Sequence, residues 1–194
     1  MNHTSLSALL ALALAASCAS PQRPNGSAQP IDFAAEVQAY PAGIIPSIQA
    51  RKSVGEKDQF YARVAANITD RQDFGEHDDE TGEGFGVGLG WRHFLTPWTE
   101  ATETVPGYRP DGWQYGVRLD VFDLSIDWID PGNRRGTTDI IVVQPSIEFG
   151  YGWSNTSMGR LEANLGLGAE INVDTDGEDV GEGAILLFGL TWHP

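Results

Sequence analysis

The chain has 194 residues, 41% of them hydrophobic, with 23 glycines, 11 prolines and a formal net charge of -15. That length carries one domain with a core, and the glycine and proline content favours many turns. So acidic a chain, with no basic run and lysine only at Lys52 and Lys57, repels phosphate and excludes nucleic acid as a partner. The single cysteine, Cys18, excludes an internal disulfide.

Residues 1–18 have a short polar start, an apolar run from Leu9 to Ala16 and small residues ahead of Cys18. This is the pattern of an export signal, too short to span a membrane. Ala15-Ala16-Ser17-Cys18 resembles the bacterial lipoprotein motif, which implies lipidation of Cys18; the alternative is a plain secretory signal cut near Ala19. Both carry the chain out of the cytoplasm. Residues 19–30 are a polar tether rich in Pro and Ser, and residues 31–194 form the folded domain.

From Ile31 onward nearly every segment alternates apolar and polar at period two, and none holds a helical period over eleven residues. Phe33, Ala35, Val37 and Ala39 share a face against Asp32, Glu36, Gln38 and Tyr40; after Pro41-Ala42-Gly43, Ile44, Pro46, Ile48 and Ala50 oppose Ser47, Gln49 and Arg51. Pro46 leaves open whether residues 31–53 are one bent strand or two. Residues 59–69 set Phe60, Ala62, Val64, Ala66 and Ile68 against Tyr61, Arg63, Ala65 and Asn67, and a long acidic loop is expected over residues 70–82. In the next strand, residues 83–95, Phe85, Val87, Leu89 and Trp91 alternate with Gly84, Gly86, Gly88 and Gly90, whose missing side chains leave volume for bulky neighbours. Residues 96–112 are a longer connection.

The stretch Trp113 to Asp130 alternates and then changes phase. Up to Val121 the odd positions are apolar and Arg118 and Asp120 lie opposite; from Phe122 the even positions are apolar and Asp123, Ser125 and Asp127 lie opposite. A phase change inside one strand predicts a β-bulge at Val121-Phe122 that turns Asp123 and Asp127 inward. Residues 131–138 read as a loop, and residues 139–153 as a strand with Ile141, Val143, Pro145, Ile147 and Phe149 against Gln144, Ser146 and Glu148. Residues 160–174 alternate most cleanly, with Leu161, Ala163, Leu165 and Leu167 opposite Arg160, Glu162, Asn164 and Glu170. A second acidic loop, residues 175–182, precedes a last strand with Ala184, Leu186, Phe188, Leu190 and Trp192 on one face.

Eight such strands fit an all-β fold, a closed antiparallel up-and-down barrel. The polar face carries Gly, Gln, Asn and isolated Arg and Glu, which suits a crowded hydrated lumen better than the water-facing surface of a soluble barrel. Trp91, Trp113, Trp153 and Trp192 fall near one set of strand ends and Trp128 near the other, as two interfacial girdles require. On this pattern, which covers residues 31–192, the chain resembles the small bacterial outer-membrane β-barrels of the OmpA, OmpX and OmpW type. That resemblance implies an outer-membrane location, lipid and lipopolysaccharide as surroundings, and handling by the barrel-assembly machinery, whose C-terminal signal is similar to Leu186, Phe188, Leu190 and Trp192. His193 and Pro194 after the aromatic depart from it.

With the polar faces inward, Glu36, Arg51, Arg63, Arg92, Arg118, Asp120, Glu148, Glu162 and Glu170 share a lumen just wide enough for side chains to fill. They are expected to pair internally and close the barrel rather than line a pore. His77 with Asp78, Asp79 and Glu80 suggests an acid/base or metal group at the rim, but adjacent loop residues fix no ligand geometry, and a solvated loop tip is expected instead. Residues 174–179 are similar to the start of a calcium loop without its later bidentate Glu. No cofactor or metal is expected. The reading is a monomeric barrel with a structural or surface-interaction role; a rim enzyme acting on lipid A or peptide, and a soluble lipocalin-like barrel, are the alternatives.

Overall fold

The computed structural model describes residues 31–54, 56–72, 77–96, 111–130, 132–155 and 159–194. The export segment, Cys18, the tether and most of the connection at 96–112 lie outside the described residues. Eight strands form the fold: β1 (Asp32–Tyr40), β2 (Gly43–Val54), β3 (Asp58–Gln72), β4 (Asp79–Phe94), β5 (Gly112–Ile129), β6 (Arg135–Asn155), β7 (Gly159–Asp176) and β8 (Gly183–His193). Each pairs antiparallel with its neighbours in sequence, and β1 pairs with β8 from Ala35–Trp192 to Ala39–Phe188, closing the barrel. The end holding Asp32 and His193 is the lower end here; the loops after β3, β5 and β7 are at the upper end.

Residues 31–53 are two strands, joined by a tight turn at Pro41-Ala42 with Tyr40 opposite Gly43. Pro46 keeps its register against Val37 on β1, but on the β3 side pairing skips from Ile44–Ile68 to Ser47–Ala65. Pro145 does the same on β6, where pairing with β7 skips from Val143–Ile171 to Ser146–Gly168. Proline has no N–H to give to a ladder, so each costs its strand rungs on one side only.

Three expectations about strand extent are corrected. Residues 70–82 are not a long loop, because β3 runs to Gln72 and β4 begins at Asp79. Residues 131–138 and 175–182 shrink similarly, since β6 starts at Arg135 and β7 runs to Asp176. The charge of these stretches is spread over alternate positions of paired strands, which a water-bathed outer face accepts.

The bulge at Val121-Phe122 is also corrected. Pairing runs unbroken through it, with Val121 opposite Val87 and Val143, and Phe122 opposite Gly86 and Val142. No residue of β5 changes face. Instead Phe122, Leu124, Ile126 and Trp128 continue the inward row of Gln114, Arg118 and Asp120, all buried, while Asp123, Ser125 and Asp127 point outward. The irregularity lies two strands away, on β7: Asp174 faces Ile141 and Asn172 faces Val142, so Val173 is the extra residue.

The outer surface therefore has two zones. Below, outward side chains are apolar all round: Phe33, Val37, Phe60, Val64, Leu89, Val117, Phe149, Leu167 and Phe188 are among the exposed large residues. Above, five strands switch to polar at one level, after Ile68 on β3, Phe85 on β4, Val121 on β5, Ile141 on β6 and Val173 on β7, giving way to Asp70, Glu83, Asp123, Asp139 and Asp174. The β1–β2 hairpin ends at that level, so this side of the wall is lower.

Candidate functional site

Inside the apolar belt the lumen is filled by ion pairs. The Arg63 guanidinium donates to both Asp120 oxygens (Nε–Oδ1 2.7 Å, Nη2–Oδ2 2.8 Å), to Glu36 at 2.9 Å and to Gln38 at 2.8 Å. Arg118 donates to Asp120 at 2.7 Å and to Glu148, which also accepts the Tyr61 hydroxyl at 2.9 Å. Arg92 and Arg51 both reach Glu162, at 3.0 and 3.1 Å, and Arg160 donates to its other oxygen at 3.0 Å. All these groups are buried. Five guanidinium groups thus meet four carboxylates, so nearly every charge taken from water has an opposite neighbour.

The β4 glycines make this filling fit. A Cβ on Gly88 would stand 1.8 Å from Asp120 Oδ1, and one on Gly90 would stand 2.2 Å from the Tyr61 ring. Those bulky groups lie across β4 because β4 presents nothing there.

Of the nine residues expected to share a lumen network, the structure joins eight: Glu36, Arg51, Arg63, Arg92, Arg118, Asp120, Glu148 and Glu162. Glu170 lies apart, nearer the upper end, where Arg71 bridges it and Glu80. Sequence reading missed Arg71 and Glu80 because both fell in the supposed loop, and missed Tyr61, Gln38, Gln49 and Arg160 as members of the network. Gln49 donates to Glu36 at 2.7 Å. Their signal was present, since each sits at an even step from a residue already assigned inward.

Above the network, beside the Arg71 group, the interior holds an apolar core. Phe122, Leu124, Ile126, Trp128, Ile140 and Val142 pack with Ile45, Leu187, Ile185 and Val180 in one buried cluster. Trp128 is therefore not a girdle residue: it is 5% exposed, donates Nε1–H to Thr138 at 3.1 Å and is covered by a stacked His77 ring at 4.3 Å. Trp91, Trp113, Trp153 and Trp192 do share the outward face near the lower strand ends. Trp113 stacks on Phe149, and Trp91 meets Tyr115 edge-on.

His77 and Glu80 do not sit on the expected solvated loop tip, because both are buried, and His77 is not a free rim base either. Nδ1 is bound to Asp130 at 2.5 Å and Nε2 to the Asp179 carbonyl at 2.9 Å, so the ring ties the ends of three connections together. Both partners are acceptors, which calls for a proton on each nitrogen. Burial opposes that charge, but the Asp130 hydrogen bond and the Asp179 carbonyl outweigh it and raise the His77 pKa above its usual value. Hydrogen bonds from His77 and Arg134 hold the Asp130 carboxyl below the usual range.

No protein-family model matches the chain, and no curated protein does. Solved structures do. One is the crystal structure of Neisserial surface protein A, 14% identical with a TM-score of 0.48, the match covering 84% of this chain and 94% of that one. Another is the N-terminal β-barrel domain of Pseudomonas aeruginosa OprF, 13% identical with a TM-score of 0.42, covering 84% of this chain and 96% of that one. The eight-stranded barrel stands independently of both, on the closed ring of strand pairing.

Proposed function

We propose that the chain is an outer-membrane β-barrel whose lumen is closed by ion pairs and packed side chains, and whose role is structural or surface-interacting through the acidic strands and loops above the membrane. One observation carries this: five neighbouring strands exchange apolar for acidic outer residues at one level, and above it β5 and β6 turn apolar residues inward. Nine belt residues on β5, Trp113 to Val121, at about 3.4 Å each and a tilt near 40°, give a height of roughly 20 Å, close to the band of about 25 Å that transmembrane barrels present. The lower Trp residues then form the inner girdle, and the surroundings are outer-membrane lipid below and lipopolysaccharide at the acidic rim. Closure leaves no free sheet edge, which favours a monomer, and the alternating Leu186, Phe188, Leu190 and Trp192 on β8 are what the assembly machinery would read.

The soluble lipid-binding alternative needs an apolar cavity within the barrel, whereas this lower interior is crowded with charge. The rim-enzyme alternative needs a ring nitrogen free to take a proton, and both nitrogens of His77 are engaged. Fractionation tests the reading. The protein is expected in the outer-membrane fraction, extracted by detergent and not by high salt; release by salt would overturn the membrane assignment. Planar-bilayer recordings are expected to show no steady large conductance, and a persistent open channel would overturn the closed lumen.

A further inference from the structure

At the lower strand ends, one corner of the outer wall carries more than the aromatic residues a girdle needs. Asp58 opens β3 on the outward face, opposite His93 on β4, and its side chain is 38% exposed. Its Oδ1 accepts the Trp91 Nε1–H at 3.1 Å and lies 3.0 Å from His93 Nδ1. Tyr115 on β5 stands opposite His93, its ring 5.2 Å from the imidazole and edge-on to Trp91 at 6.0 Å. An accessible carboxylate among aromatic rings suits a cation that brings N–H donors.

Both lysines of the chain stand at this corner. Lys57 precedes Asp58 in the β2–β3 turn. Lys52 is exposed on β2 opposite Phe60, while Val54 is opposite Asp58, so Lys52 is diagonal to Asp58 and one outward step nearer the apolar belt. Diagonal neighbours across a sheet are about 7–8 Å apart, within reach of long side chains. Neither lysine enters an ion pair among the described residues.

One outward step above the row of Asp58, His93 and Tyr115, a shallow apolar groove of about 820 Å³ crosses the wall. Phe60, Trp91, Val117 and Ile147 form its lower bank, and Leu119 and Pro145 line it above, where Pro145 interrupts the β6–β7 ladder. From the belt towards the rim the wall thus offers an apolar groove, a cation and then an anion. Tail, phosphate and ammonium follow one another in that order in a zwitterionic phospholipid.

We propose, resting on the membrane reading above, that this corner binds one phospholipid with a primary-ammonium headgroup. The ammonium lies on the Asp58 carboxylate beside Trp91 and Tyr115, the phosphate on Lys52, and an acyl chain in the groove. A quaternary headgroup has no N–H to give the carboxylate, and an anionic one meets its charge.

Native mass spectrometry of the purified full chain in non-ionic detergent, offered dioleoyl phosphatidylethanolamine, phosphatidylcholine or phosphatidylglycerol at equal concentration, tests the site. One phosphatidylethanolamine per chain is expected, at roughly five times the level of either other lipid. Asp58→Asn keeps an acceptor for Trp91 but removes the charge, and should bring phosphatidylethanolamine down to the phosphatidylcholine level. Lys52→Gln, and Ile147→Trp, which fills the groove, should each lower retention roughly threefold. Val37→Trp, on β1 away from the groove, should leave it unchanged. Absence of retained lipid, equal retention of the three, preference for phosphatidylglycerol, or an equal loss with Val37→Trp would each overturn the site. So would indifference to the site variants, and because the three act separately, a folding defect in one leaves the others decisive. A chain that fractionates with the outer membrane yet fails here loses this site alone, whereas release from the membrane by salt overturns the membrane reading and the site together.

Discussion

The two halves of this barrel are chemical inverses on one continuous wall. In the lower half the outward residues are apolar and the inward ones are Arg, Glu, Asp and Gln; in the upper half the outward residues are Asp, Glu, Ser and Thr, and β5 and β6 turn Phe, Leu, Ile, Val and Trp inward beside one ion group, Arg71 with Glu80 and Glu170. The wall is one strand thick and its residues alternate without fail on β5, so the folding rule is the same throughout, and on the proposed reading the outer medium is what differs. On the proposed membrane reading lipid lies outside the lower half, polar side chains there can go only inward, and they are tolerable because the charges are paired. Where water lies outside, the upper half is built like a small soluble protein, with an ordinary hydrophobic core. The halves should therefore fail differently: the lower by stranding charges, the upper by opening cavities.

Arg63→Ala should do the most damage, about 3–5 kcal/mol, because it strands both Glu36 and Asp120. Urea titration of the protein folded into lipid vesicles would measure it. A cost under about 1 kcal/mol would mean that water enters the lumen and screens the network. In the upper half Leu124→Ala should cost about 3 kcal/mol through the cavity it leaves. The sharpest comparison uses one face of one strand. Val117→Arg, in the belt, should cost about 2–4 kcal/mol, while Ser125→Arg, above it, should stay within about 0.5 kcal/mol. Equal costs for the two would remove the boundary between the halves.

Much of this was legible in the sequence. Period-two alternation marked the strands and the inward face, and with it eight of the network residues. It could not name the medium outside, because alternation records which residues share a face and nothing else. On β5 an exchange of apolar and polar residues between the two faces therefore imitated a bulge, and Trp128, whose position suited a girdle, proved to be core. A comparison between strands held the missing information: Glu83, Asp123 and Asp139 all follow an apolar row at the same height, which three independent bulges would not arrange. The true bulge at Val173 left no mark, since Ile171, Asn172, Val173 and Asp174 go on alternating apolar and polar straight through it. Arg71 pairs with Glu170 across 99 positions of chain, and only the closed stagger of the barrel brings such residues level.

The smallest effect concerns the cap of the upper half, and its sign follows from His77. Because its pKa is raised in the folded chain, the folded state holds the proton more tightly. The clasp to Asp130 and Asp179 therefore contributes fully below the unfolded histidine value of about 6.5 and is lost as pH rises through the higher folded value. Asp130 works in the other direction: its lowered pKa gives a contribution present above the usual carboxylate value of about 3.9 and lost as pH falls through the folded one. Between those limits the pair is charged on both sides. Melting curves of the wild type and His77→Gln should thus differ most near pH 5 to 6 and converge as the solution becomes alkaline. A difference that stays constant with pH would show that His77 holds the cap by its stacking on Trp128 alone, as an extension of the apolar core beneath it.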